Sequence, residues 1–382
     1  MKNKIPTPYY IIYEDKLRKN LELIKKVENE GDIKIIMALK ANALWKIFPV
    51  ISEYIDSSTA SSINEMRLSL EFLGKDVHTY CPVYTSSTFP DFLKGSSHIT
   101  FNSLSQYEKF YKEVNDYNKK NPENRVSCGL RINPFCSVIE TDIYNPCLPG
   151  SRFGVLSENM PEEIPEGLEG FHFHALCESS SYDLEKILEA LKQQFGKWLP
   201  KLKWLNMGGG HLMTREDYDI PHLIDILQKF HKEFPNLELI MEPGSAFTWQ
   251  TGDLVTEVLD VVENSSIKTA IIDASFACHM PDCLEMPYRP VIEEANADDK
   301  GKYLYRLGGN SCLSGDFVDG WSFDFELKEG QRLTLKDMNH YTTVKTNMFN
   351  GIQHPSIWWQ PINGEPLLLR EFSYEDYKSR MA

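Results

Sequence analysis

Apolar positions in this chain switch between two periods from about residue 30 onward. Short runs rich in apolar and β-branched residues alternate with longer segments in which apolar residues recur every three or four positions, the pattern of a parallel sheet wrapped by helices. Eight short runs stand out: IKIIMAL (33–39), SSTAS (57–61), VHTYCPV (77–83), HITF (98–101), VSCGLRI (126–132), LEGFHFHAL (168–176), KWLNM (203–207) and LELIME (237–242). Helical patterns at 62–74, 103–120, 182–199 and 217–234 fall between them. Strands and helices alternating eight times predict an α/β fold, a (β/α)8 TIM-like barrel over residues 20–255. An open doubly wound sheet is the competing reading, weakened because the candidate phosphate glycines come late in the chain and not at the first βα turn.

Past about residue 250 the pattern changes to VTEVLDVVE, TAIIDASF, YLYRLGG, SFDFEL and QRLTL, separated by Gly and Asp turns. This predicts an antiparallel β domain over 256–382, joined by a strand from YYIIY within the first 19 residues. The length of 382 residues suits two such domains. Forty Lys+Arg against 55 Asp+Glu give a net charge of −15, which repels nucleic acid and anionic membranes and attracts a cationic small molecule. The eight cysteines form no CxxC pair, and no run approaches the roughly 18 apolar residues of a membrane span, so reduced thiols and a cytoplasmic protein are expected. The first 16 residues, interrupted by Pro6 and Pro8 and closed by Glu14 and Asp15, do not read as a signal peptide.

Barrel enzymes carry their chemistry at the C-terminal ends of the strands. The first run ends at Lys40, where desolvation favours attack on an aldehyde; a lysine snorkelling to solvent is the plainer alternative. The sixth run holds His172 and His174 on one face. They suit metal ligation, stacking on a cofactor ring, or a hydrogen-bonded interior role. Gly208, Gly209 and Gly210 end the seventh run, where bare N–H groups can wrap a phosphate or the loop simply needs unusual dihedrals. Glu242 ends the eighth, a carboxylate that needs a cationic or protonated partner. A lysine for an aldehyde, a phosphate cradle, a flat histidine and an acid for a ring nitrogen together describe pyridoxal 5'-phosphate. The acid favours decarboxylation, because a protonated pyridine is the stronger electron sink.

The order of these motifs resembles the fold type III pyridoxal-phosphate decarboxylases, which include ornithine and diaminopimelate decarboxylases. The likeness covers MALKANA, Arg131 in GLRINP, SRFG at 151–154, the HFH run, MGGG, EPG and YTTVKTNMFNG with Tyr341. HALCES, NPCLPGSRFG, HMPDCLEMPYRP and SCLSGD resemble the carboxynorspermidine/carboxyspermidine decarboxylase branch more than its relatives. The resemblance implies an alanine racemase-like fold and a homodimer with shared active sites. It places the covalent lysine at Lys40, the ring-stacking histidine at His174, the partner of the pyridine nitrogen at Glu242 and the phosphate contacts at Gly208 to Gly210 and Tyr341. Cys312, reaching in from the neighbouring subunit, returns a proton to the α-carbon, and Arg152 pairs with Asp316 across the interface.

Two departures bear on the substrate. Ornithine and diaminopimelate decarboxylases carry an acid after that cysteine and an Arg after EPG, where this chain has Leu313 and Ser245. A cationic carboxypolyamine therefore needs other counter-charges, and Glu178, Asp273, Asp282 and Asp316 are the candidates. No resident metal is expected. The alternatives are a metal-dependent barrel hydrolase built on His172, His174, His211 and Glu242, a decarboxylase of another diamino acid, and a non-catalytic pyridoxal-phosphate carrier, against which the β domain argues.

Overall fold

The computed structural model describes residues 5–139 and 141–382. A first strand, β1 (Tyr9–Tyr13), and an amphipathic helix (Glu14–Gly31) precede the run IKIIMAL. That run splits at Ile36 into β2 (Lys34–Ile35) and β3 (Met37–Ala38). Then follow β4 (Ser57–Ala60), β5 (Asp76–Tyr80), β6 (His98–Phe101), β7 (Ser127–Arg131), β8 (Leu168–His172), β9 (Trp204–Asn206) and β10 (Glu238–Met241). Each pairs in parallel with the next, while β2 pairs with β10 and β3 with β4. One split run thus serves two neighbours and closes the sheet into the expected barrel.

Helices begin where the sequence supplies caps. Ser62, Ser103, Ser180 and Asp219 accept backbone N–H bonds at the starts of helices Ile63–Phe72, Leu104–Lys120, Ser181–Phe195 and Ile220–Glu233. Between β7 and β8 the alternation lapses, and the described residues there carry only 3-10 turns. Inside the barrel Trp204 packs with Ile36 and Ile240. Its indole takes up the space that glycines leave on the two neighbouring strands: a Cβ at Gly170 would lie 2.0 Å from the ring and one at Gly129 2.1 Å. The indole N–H donates to Ser127 Oγ at 2.9 Å, so the large ring is buried without an orphaned donor.

The remaining strands are β11 (Gly252–Asn264), β12 (Ile267–Ile272), β13 (Tyr303–Gly308), β14 (Phe317–Phe323), β15 (Arg332–Leu335), β16 (Ser356–Gln360) and β17 (Leu367–Arg370). Their sheet runs β14-β13-β12-β11-β1-β16-β17, with β15 on β11. It is mixed, not antiparallel throughout as expected, because β1 pairs in parallel with β16 and β12 with β13. The physical reason lies in the connections. Parallel neighbours need a long return path, and the 273–302 segment and the rest of the chain supply one. Tyr10, Leu254, Val258, Trp321 and Phe323 lie in the core of this sheet.

Two compact units result: Asn20–Phe247, holding the barrel, and the N-terminal residues to Lys19 with Thr248–Ala382, holding the mixed sheet. The passage between them precedes β11, which contains residue 255 within it. Among the described residues no helix is long and apolar enough to cross a membrane.

Candidate active site

Within the barrel unit, Lys40 stands just past β3, at the end toward which every strand of the barrel points. Solvent still reaches it, so its desolvation comes from crowding by surrounding protein and not from enclosure. That desolvation holds the amine below its ordinary range; the charge of Glu242 pulls the other way, and that of Arg131 adds to the lowering. Glu65, a half-buried acid whose Oε2 accepts from Ser61 N–H at 2.6 Å, also acts on Lys40.

Glu242 follows β10. Burial alone would raise its carboxyl, but His172 and Asn206 outweigh burial and hold it down to about 2. Asn206 donates to Oε1 at 2.7 Å, and its own carbonyl oxygen accepts the N–H of Gly208 at 2.9 Å. One asparagine therefore ties the acid to the glycine loop. His172 Nε2 lies 3.6 Å from Oε2. Desolvation keeps this imidazole below its ordinary range, against the upward pull of the Glu242 charge.

The HFH run divides its histidines between two duties. β8 ends at His172, so His174 lies beyond the strand, where its Nδ1 accepts the N–H of Gly209 at 3.1 Å. Gly208 and Gly210 have φ of +66° and +93°, and a Cβ on any of the three glycines would strike a carbonyl oxygen: Phe173 O at 2.4 Å, Glu242 O at 2.6 Å and Leu176 O at 2.2 Å. Only glycine fits there. Arg131, at the end of β7, is buried between the rings of Tyr80 and Phe153, 4.7 and 4.4 Å from their centroids, and its Nη2 reaches His174 O at 3.4 Å. His211 is buried with no hydrogen-bond partner for either ring nitrogen among the described residues. The set suits pyridoxal phosphate: an ionised acid, a crowded lysine and a backbone loop stripped of side chains.

The strand parity that places Asn206 beside Trp204 on the barrel interior was the available signal for its contact with Glu242, and the sequence reading passed over it. Tyr80 and Glu65 were missed too; only the fold brings them to the mouth.

The mixed-sheet unit holds the other expected residues. Cys312 is exposed, and Asn350 Oδ1 accepts its N–H at 2.8 Å. Tyr341 sits at φ +53°. Three acids expected to face the substrate have partners within their own unit. Asp316 is buried and accepts from Ser275 Oγ at 2.8 Å, Ala277 N–H at 2.9 Å and Ser311 N–H at 3.2 Å, so it staples the loop that carries Cys312. Asp273 accepts from Thr256 Oγ1 at 2.5 Å and Glu257 N–H at 2.9 Å, a strand-end cap. Asp282 is ion-paired with Lys345, which also holds Glu285. Glu178, in the barrel unit, is exposed and takes φ +49°, while Arg215 donates to its backbone oxygen at 2.9 Å. Among the described residues His172, His174, His211 and Glu242 do not form a group of metal-ligand spacing, so the hydrolase alternative loses its centre.

Residues 48–339 match the family described as pyridoxal-dependent decarboxylase, C-terminal sheet domain. The chain is 44% identical over 379 residues to carboxyaminopropylagmatine decarboxylase of Synechocystis, covering 99% of this chain and 96% of the relative. It is 38% identical over 388 residues to carboxynorspermidine/carboxyspermidine decarboxylase of Campylobacter jejuni, covering 99% of both. The crystal structure of carboxynorspermidine decarboxylase from Campylobacter jejuni, complexed with norspermidine, superposes with a TM-score of 0.87 at 36% identity, covering 98% of this chain and all (100%) of the other. Diaminopimelate decarboxylase of Helicobacter pylori shares the fold, with a TM-score of 0.82 at 17% identity, covering 99% and 97%.

Proposed function

This chain belongs to the pyridoxal-dependent decarboxylase family, and from that premise we propose that it decarboxylates carboxynorspermidine or carboxyspermidine to norspermidine or spermidine. The observation that carries the reading is the barrel mouth itself, where a lysine held below its ordinary range acts with an acid held ionised and a glycine loop that admits no side chain. Bound there, pyridoxal phosphate supplies a sink for the electron pair left behind as CO2 departs.

The chain's own residues supply the rest. Lys40, with more of its amine neutral at a given pH than an ordinary lysine, is the covalent anchor. Glu242 keeps a proton at the ring nitrogen, and Asn206 fixes the angle of that carboxylate. The backbone of Gly208 to Gly210 would hold the phosphate, and His174, oriented by Gly209, would meet the ring. In a homodimer Cys312 serves the neighbouring subunit, returning the proton to the α-carbon from a loop stapled by Asp316 and Asn350. Glu178, exposed in the barrel unit, is one candidate acid for a distal ammonium, with Asp273, Asp282 and Asp316. Eight free cysteines support a reducing, cytoplasmic setting.

A second reading has its own support, because the relative at 44% identity is named for carboxyaminopropylagmatine, whose tail ends in a planar guanidinium and not an ammonium. CO2 release measured on carboxynorspermidine, carboxyspermidine, carboxyaminopropylagmatine and diaminopimelate separates the two. The highest kcat/KM on either of the first pair supports the proposal. A maximum on the guanidino compound transfers the assignment to the second reading, and turnover of diaminopimelate alone overturns both.

A further inference from the structure

The loop that carries Cys312 joins β13 to β14 and is closed by its own backbone: Gly309 N–H donates to Asp316 O at 2.7 Å, and Asp316 N–H donates to Leu313 O at 3.0 Å. Within the loop, Asp316 Oδ2 accepts from Ser311 N–H at 3.2 Å, and Ser311 Oγ accepts from Leu313 N–H at 3.3 Å. The Cys312 N–H is the exception. It donates to Asn350 Oδ1 at 2.8 Å, an acceptor 38 residues further along the chain.

Asn350 is itself held in place. Its φ of +58° lies in the left-handed region, which asparagine tolerates better than most side chains. Beside it, Phe349 N–H donates to Asn347 Oδ1 at 3.1 Å, Asn347 Nδ2 donates to Ala277 O at 2.8 Å, and Ala277 N–H donates to Asp316 Oδ1 at 2.9 Å. Together with the backbone between them, these bonds run in a closed ring from Asp316 through Asn347 and Asn350 to Cys312 and back through Ser311. The ring grips the backbone of Cys312. None of its bonds involves the thiol, and the residue is exposed.

Resting on the reading that Cys312 returns the proton, we propose that Asn350 is the positioning residue for that step: by fixing the Cys312 backbone it decides which of two carbons the thiol protonates. When CO2 leaves, its electron pair is shared between the α-carbon and the cofactor carbon that carried the aldehyde. A proton on the α-carbon ends in the polyamine and pyridoxal phosphate. A proton on the other carbon, followed by hydrolysis of the C=N bond by water, ends in pyridoxamine phosphate and an aldehyde in place of the amine. In either case the thiolate left behind takes a proton from solvent. One nitrogen separates the two carbons, so a misplacement of about 1 Å is enough to change the ratio of outcomes.

Two variants of the pyridoxal-phosphate-loaded protein test this. Asn350→Gly removes the acceptor without backbone strain, because glycine accepts a positive φ, and Asn350→Asp keeps an acceptor oxygen at a φ that aspartate also tolerates. Hydrogen exchange resolved to single amides needs no substrate: the Cys312 amide is expected to exchange at least about tenfold faster in Asn350→Gly and not in Asn350→Asp. With carboxynorspermidine or carboxyspermidine, pyridoxamine phosphate formed per CO2 released is read over a single turnover, since each misplaced proton consumes the cofactor of that site. This ratio is expected to rise at least about tenfold in Asn350→Gly and in Cys312→Ala, and to return close to the wild-type value in Asn350→Asp. A loss of rate or of folded protein does not move a ratio taken per CO2. A wild-type ratio in Asn350→Gly beside a raised one in Cys312→Ala overturns the role of Asn350 alone, whereas an unmoved ratio in Cys312→Ala overturns the cysteine reading on which it rests. Unchanged exchange at Cys312 in Asn350→Gly overturns the proposal without any substrate.

Discussion

At the scale of single residues, Lys40 is described by two environments at once: solvent touches it, and surrounding protein lowers its affinity for a proton. Lys40→Ala is expected to abolish CO2 release together with the absorbance of the lysine-bound cofactor; a variant that kept the band would show that another amine carries it. The sign of the pH dependence follows from the same shift. Capture of pyridoxal phosphate by the apo-protein requires the neutral amine, so its rate rises with pH toward a midpoint below the ordinary lysine value of about 10.4. Glu242 raises the Lys40 affinity for protons, so Glu242→Gln should move that midpoint lower still. Rapid-mixing absorbance at a series of pH values measures both, and a midpoint that climbs in the variant contradicts the coupling. Glu242 itself, held at about 2, stays ionised across any practical assay range and contributes no acid limb there.

At the scale of elements, the barrel interior depends on a match between one large ring and two missing side chains. Trp204 on β9 projects over Gly170 on β8 and Gly129 on β7, leaving no room for a methyl group on either. Gly170→Ala is expected to lower stability by about 1 to 3 kcal/mol, read as a fall in melting temperature. Trp204→Leu alone is destabilising through lost burial, but the double variant should lose less than the sum, because the clash has gone with the ring. Strict additivity in the thermal data would place the cost elsewhere.

At the scale of the whole molecule, Lys40 belongs to one compact unit and Cys312 to the other. A homodimer with shared sites then makes a quantitative demand. Lys40→Ala and Cys312→Ala chains, each inactive alone, should regain roughly a quarter of wild-type activity after subunit exchange, since about half of random dimers are mixed and each mixed dimer has one intact site. Mass spectrometry confirms the exchange. Mixed dimers without recovered activity would mean that each chain completes its own site.

Much of this was open to a reading of the sequence because it depends on local chemistry. Strand and helix periods, serine and aspartate caps, the lysine, glycines and acid at strand ends, and the spacing of motifs are written in consecutive residues. The barrel and the cofactor followed from them. Contacts between residues distant in sequence were not open in that way. The partners of Asp273, Asp282 and Asp316, namely Thr256, Lys345 and Ser275, come from other segments that only folding brings alongside. Asn206 looked like part of an apolar strand until β9 and β10 set it against Glu242. The parallel pairing of β1 with β16 joins the two ends of the described chain, and no period within either segment specifies it. Sequence by itself determined which chemistry the chain can carry; tertiary structure decided which charges are already satisfied, because a carboxylate's partner is set by proximity in space and not by position along the chain.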